Sequence, residues 1–379
     1  MSELLHRLRH ELGSLSDPAA RAEVIARIAG VHARSGHFDE ARLAINAIKE
    51  QFGRGESGRV TAWKMIAEGL VFHYENLSPA ALERIGGALA LGRAMQYPTV
   101  IALASAWKAH IEFERSDFLK MANSLGVALQ CVGPTDHDAQ TRISMVLANA
   151  FMICGDRSQM QTWFMRGREH AVKNGDRASV EALQYNKAAF ATAWARVSGC
   201  TAQVDAEELT LLRGEVNSAR NFQELARIAA LSGHIRLIHA RLLMLEARYE
   251  LAIEELGAVR ITEPFASHNF HQSYIDLELQ FCAVRLGGTD FSMAHRWKDV
   301  LKRFNGLDID ERIVACWMLT EIAGRAGLSD EQTQLRGELH ELLSKHEMER
   351  QALRASLESL ASGGLHDNPA SHITPSTRQ

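Results

Sequence analysis

Apolar positions recur at helical spacing along most of the chain, and short polar turns interrupt them at near-regular intervals. The clearest unit runs from Ala22 to Phe52. Ile25, Ile28, Ala29 and His32 share one helical face, the turn Ser35-Gly36-His37-Phe38-Asp39-Glu40-Ala41 follows, and Ile45 and Ile48 resume the pattern. This reads as helix, turn and helix. Gly36 can take the positive φ of the turn, and the small Ala29 and Ala41 let the two helices approach closely.

The turn recurs. Phe118 in Ser116-Asp117-Phe118-Leu119, Tyr249 in Ala247-Arg248-Tyr249-Glu250 and Phe291 in Thr289-Asp290-Phe291-Ser292 repeat the aromatic anchor Phe38. Weaker copies put Leu77, Arg157 and Leu328 at the same place. Anchors at 38, 77, 118 and 157 step by 39, 41 and 39 residues, and those at 249, 291 and 328 by 42 and 37. A fixed period of this size marks stacked helix pairs, each burying its apolar face against the next.

The order Gly, aromatic, Ala after the first helix resembles the tetratricopeptide repeat (TPR) consensus. With a period near 40, the chain is similar to the long-repeat type found in bacterial signalling and regulatory proteins, over about residues 20–330. The resemblance implies an all-α fold: a right-handed superhelical array of antiparallel helix pairs, here followed by a long C-terminal helix. It also implies a protein- or peptide-binding adaptor or sensor that acts through a concave groove lined by the first helix of each pair.

The register breaks once, because the step from 157 to 249 is 92 residues, two periods and about 12 more. The expected organisation is an N-terminal array over 1–196, an irregular break over 197–232 and a C-terminal array over 233–328. In the break, one helix is expected over about 205–219 and a second stretch over 221–231. From 329 to 362 no proline interrupts, and Leu335, Leu339, Leu342, Leu353, Leu357 and Leu360 form a partial stripe opposite a heavily charged face. This segment reads as a capping helix that overhangs the array. The alternative is a structural or assembly factor that forms a homodimer through this helix as a coiled coil. The polar stretch 363–379 reads as a disordered tail.

At 379 residues the chain exceeds what one compact core normally holds, which agrees with an elongated array. A formal net charge of −4 and the absence of basic runs argue against direct binding of nucleic acid or an anionic membrane. The longest apolar run, about 11 residues around 144–154, is too short for a membrane span. Five scattered cysteines in apolar segments and the charged N-terminus point to the cytoplasm.

No catalytic motif is present, so neither an enzyme nor a cofactor is expected. Gly53-Arg54-Gly55-Glu56-Ser57-Gly58 lacks the strand and the Lys-Ser/Thr of a phosphate loop and reads as an inter-repeat loop. His6 with His10 and His268 with His271 have metal-ligand spacing but no third ligand nearby, and no metal is expected.

Within the TPR resemblance, Asn149 and Asn186 fall at positions where TPR peptide receptors use asparagines to grip a peptide backbone. An amide offers both a donor and an acceptor for that task. Arg142 and Lys187 are the nearby cations, and Arg241 is a candidate in the C-terminal array. The carboxylate-binding version of the family carries lysines beside the asparagines. Met145 stands at the corresponding position here, so recognition of a peptide C-terminus is not implied.

Overall fold

The computed structural model describes residues 3–52, 57–226, 232–259 and 270–362, and these contain helices but no strand. The inter-repeat loop at 53–56, His268, the side chain of His271 and the expected tail at 363–379 lie outside the described residues.

A short α1 (Glu3–Ser14) precedes five helix pairs. These are α2 (Pro18–Arg34) with α3 (Phe38–Phe52), α4 (Gly58–Asn76) with α5 (Ala80–Ala94), and α6 (Pro98–Glu114) with α7 (Phe118–Cys131). Then come α8 (His137–Ile153) with α9 (Arg157–Lys173), and α10 (Arg177–Gly199) with α11 (Ala206–Ala226). The remainder comprises α12 (Ser232–Leu245), α13 (Tyr249–Gly257), α14 (Phe270–Arg285) and the short α15 (Ser292–His295) and α16 (Trp297–Arg303). It ends with α17 (Ile309–Arg325) and α18 (Ser329–Ser362).

Every aromatic anchor stands at or next to the start of a second helix. Phe38, Phe118 and Tyr249 open α3, α7 and α13, and Phe291 immediately precedes α15. The turn before the anchor needs one left-handed residue. Gly36 supplies it at φ 76°, whereas Ser116 and Ala247 adopt it without being glycine, at 57° and 56°. The degenerate copies therefore keep the backbone of the repeat while losing its most recognisable letter. Acidic residues cap the following helices: Asp17 Oδ2 accepts from the Ala20 amide at 2.8 Å, and Asp156 Oδ1 from that of Gln159 at 3.0 Å.

First and second helices differ in how they are buried. The central first helices α6 and α8 are enclosed almost all round, from Val100 to Phe113 and from Ala139 to Met152. α3 buries one stripe only, Ala41, Ile45 and Ile48. Packing proceeds from neighbour to neighbour, and the apolar clusters follow chain order. That is how a stack of helix pairs builds its core.

Two departures from the expected organisation stand out. The division at 196–197 falls inside α10, a continuous 23-residue helix. α10 contributes Val180 and Leu183 to one apolar cluster, Ala188 and Ala195 to the next, and Val197 to the C-terminal one, so it joins the two halves. The two segments expected at 205–219 and 221–231 form a single helix as far as Ala226.

α18 does not overhang. Its first half packs on α17 through Leu335 and Leu342, and its second half returns to α7 and α8. There Leu353, Leu357 and Leu360 enter the apolar cluster of α6–α9. Their spacing of four and three residues puts all three on one face. Arg350 Nε and Arg354 Nη2 donate to the carbonyls of Ile153 and Cys154 at 3.1 and 3.0 Å, satisfying the open C-terminal end of α8.

Candidate binding cleft and histidine cluster

Asn149 and Asn186 line one narrow crevice of about 10 Å³ between α8, α9 and α10, room for about one water, with Met152, Phe164, Leu183 and Phe190 as its apolar walls. Asn149 is buried and Asn186 half-buried, and neither side-chain amide has a hydrogen-bond partner among the described residues. Lys187 joins them at the same cleft. Its ammonium lies 4.7 Å from the centre of the Phe164 ring and 2.8 Å from Glu215.

At Met152 and Phe190 the cleft adjoins a cavity of about 200 Å³ between α8, α10 and α18. Its apolar lining adds Ile153, Trp194 and Leu343 to those two residues. The rim is polar: His346 Nε2 sits 3.0 Å from Asp310 Oδ1, and the Arg350 guanidinium lies 4.5 Å over Trp194.

The other two candidate residues lie elsewhere. Arg142, two turns before Asn149 on α8, is buried with its guanidinium 3.6 Å over Trp107 and a 3.4 Å hydrogen bond to Tyr74 Oη. It belongs to a polar zone that closes the N-terminal half on itself. In that zone Arg34 of α2 pairs with Asp176 at the start of α10, at 2.9 Å, and the Leu4 amide donates to Gly175 O at 3.2 Å. Arg7 of α1 donates to Asn174 in the same turn. Arg241 is committed to an internal ion cluster, at 2.9 Å from Glu278 and 3.4 Å from Glu311.

Glu181, on α10 between these two regions, is buried and its Oε1 is unpartnered. Burial pushes its carboxyl up from 4.5 to about 7. A carboxyl raised in the folded state favours folding while protonated. That advantage is complete below pH 4.5 and is lost as pH rises through about 7. Glu181→Gln is therefore expected to raise stability at pH 8 relative to its effect at pH 4, by up to about 3 kcal/mol. Denaturant melts of both proteins at the two pH values check this, and an equal effect at both would refute it.

A second polar cluster was not anticipated. His73 near the end of α4 and His110 on α6 are both buried, and each points Nε2 at the Glu114 carboxylate, at 3.7 and 3.2 Å. Burial lowers the His73 imidazole to about 4, which keeps the ring neutral. Desolvation by the surrounding side chains would raise the partly exposed Glu114 carboxyl, but the contact with His110 and the charge of Arg142 hold it at about 2. Trp107 presents an edge to both rings, with centroids 6.2 and 5.4 Å away. The signal in the sequence was His110 and Glu114 one turn apart. The third group arrives from the preceding helix pair, 37 positions earlier, where a search for a ligand nearby in sequence does not reach. His6 and His10 are exposed on α1 and form no such group.

No family model matches the chain, and no curated protein sequence matches it. Among the described residues no helix is long and apolar enough to cross a membrane.

Proposed function

We propose that this chain is a TPR-like helical-repeat scaffold with a right-handed superhelical course, and that it works by binding a protein or peptide segment rather than by catalysis. The observation that carries the reading is the pair of unpartnered amides, Asn149 and Asn186, sharing one crevice that adjoins a 200 Å³ cavity of mixed polar and apolar lining. Amides without internal partners can hydrogen-bond a peptide backbone whatever its side chains, while the cavity beside them accepts one anchoring side chain. Lys187 and the Asp310–His346 rim add charge selectivity. A role as an adaptor or sensor in cytoplasmic signalling follows from the resemblance to regulatory TPR proteins.

The dimerising alternative has less support. Leu335, Leu342, Leu353, Leu357 and Leu360, which would form a coiled-coil seam, are buried within the chain, Leu339 is half-buried, and Met348 is the large apolar residue that α18 leaves exposed.

Peptides selected from a random displayed library against the full chain provide the test. A selected peptide is expected to bind the Asn149→Ala/Asn186→Ala variant at least about tenfold more weakly, since two hydrogen bonds of about 1 kcal/mol are lost. Unchanged affinity, or a library that yields no binder, would remove the assignment.

A further inference from the structure

We propose that His73, His110 and Glu114 form a three-ligand site for a divalent transition metal of the zinc class, with a fourth position open to water. The case is geometric. One donor atom from each residue lies within 4.8 Å of the other two. His110 Nε2 lies 3.2 Å from Glu114 Oε1, close to the edge of about 3.3 Å of a tetrahedron built on bonds of about 2.0–2.1 Å, and His73 Nε2 lies 3.7 Å from the other carboxylate oxygen, Oε2.

The donor set agrees with that choice. Two imidazoles and one carboxylate suit zinc, cobalt or nickel, whereas magnesium and calcium prefer all-oxygen shells. The scaffold is rigid, since α4 and α6 lie deep in the N-terminal array and Trp107 and Tyr74 pack edge-on against the rings. Access exists as well. The Glu114 side chain is 41% exposed, so an ion can enter from solvent without opening the core.

Two features limit the affinity. His110 Nδ1 is buried without a partner, so the ring lacks the outer acceptor that usually strengthens a histidine ligand and that is worth about 10–100-fold. Arg115 and Arg142 stand near enough for their charge to act on His73, and it opposes a dication that the Glu114 carboxylate alone offsets. The expected affinity is therefore on the order of micromolar, not that of a closed structural zinc site.

The experiment uses the full chain stripped with a chelator and titrated with Co²⁺ alone, read by the visible d–d bands of four-coordinate cobalt, then with Zn²⁺ in competition. One equivalent is expected to bind. Glu114→Gln and His110→Gln are each expected to weaken binding at least about tenfold, with helical content unchanged. Glu114 is partly exposed, so its isosteric variant is a fair test even if His110→Gln proves unstable. The control is His137→Gln, which disrupts the other close pair, His137 and His170 with Nδ1 atoms 3.0 Å apart. No uptake by the wild type, uptake unchanged by Glu114→Gln, or uptake abolished by His137→Gln instead would each overturn the assignment.

Discussion

Glu278→Gln is expected to destabilise the protein by about 3–5 kcal/mol, because it removes the one carboxylate that two inward-facing guanidiniums share. Glu278 is fully buried on α14. Its Oε1 accepts from Arg196 of α10 at 2.6 Å and from Arg241 of α12 at 2.9 Å. Arg241 reaches on to Glu311 of α17, and the Tyr274 hydroxyl donates to the Glu311 carbonyl at 3.0 Å. Glu278 thus ties α10 and α12 to α14, and Arg241 carries the cluster on to α17. Burial of Arg241 would lower its pKa, but Glu278 and Glu311 outweigh this and raise it further.

Glutamine keeps the shape and one acceptor of Glu278. It removes the negative charge, however, and leaves its amide nitrogen at the place of Oε2, which is buried without a partner. Arg241 retains Glu311, while Arg196 retains no carboxylate partner. A buried ion cluster need not be a net stabiliser, so the complementary variant is informative. Replacing Arg196, Arg241 and Glu278 together by apolar residues of similar volume should cost less than Glu278→Gln alone. Chemical unfolding of both variants measures the difference. A single variant within about 1 kcal/mol of the wild type would mean that water or relaxation already solvates the cluster.

The repeat period and the aromatic anchors were legible because each copy is a local instruction. The letters around Phe38, Phe118 and Tyr249 set a turn and the start of a helix, whatever the rest of the chain does. The weaker copies were harder because the left-handed turn residue is enforced by packing at Ser116 and Ala247 rather than encoded by glycine. What escaped the sequence joins distant residues. Arg34 meets Asp176 at a separation of 142 positions, and Arg354 reaches the end of α8 across 200. Nothing local in either segment announces its partner. The cleft lies between these extremes. Asn149 and Asn186 sit on consecutive first helices, so the period alone predicts that they approach each other. Arg142 also sits on a first helix, but the closure of α1 and α2 onto the α9–α10 turn surrounds it with internal partners. The histidine cluster escaped for the same reason as the long ion pairs, since one of its three groups belongs to another helix pair.

Leu353→Ala combined with Leu357→Ala is expected to lower stability by about 5 kcal/mol and to loosen α7 and α8, 200 or more residues away in sequence. Leu353 is completely buried and Leu357 is 4% exposed, both inside the apolar cluster of α6–α9. Truncating a buried leucine costs about 2–5 kcal/mol, depending on how far the site collapses. Collapse is restricted here, because α7 and α8 hardly touch each other and α18 covers the face of α7 instead. Amide exchange in α7 and α8 should therefore quicken in the double variant, while the early helices α2–α5, which belong to a separate cluster, should keep their protection.

An overhanging or dimer-forming α18 predicts otherwise: exchange in α7 and α8 would not change, and the native mass would fall if a coiled coil were lost. The same variant bears on binding. α18 supplies Leu343, His346 and Arg350 to the wall of the 200 Å³ cavity, so loosening its second half removes part of the surface that would hold an anchoring side chain. A peptide that binds the intact chain should then lose affinity even though Asn149 and Asn186 are untouched. If affinity instead survives while α7 and α8 loosen, the amide cleft binds without help from α18, and the cavity beside it serves the packing of the helix rather than the ligand.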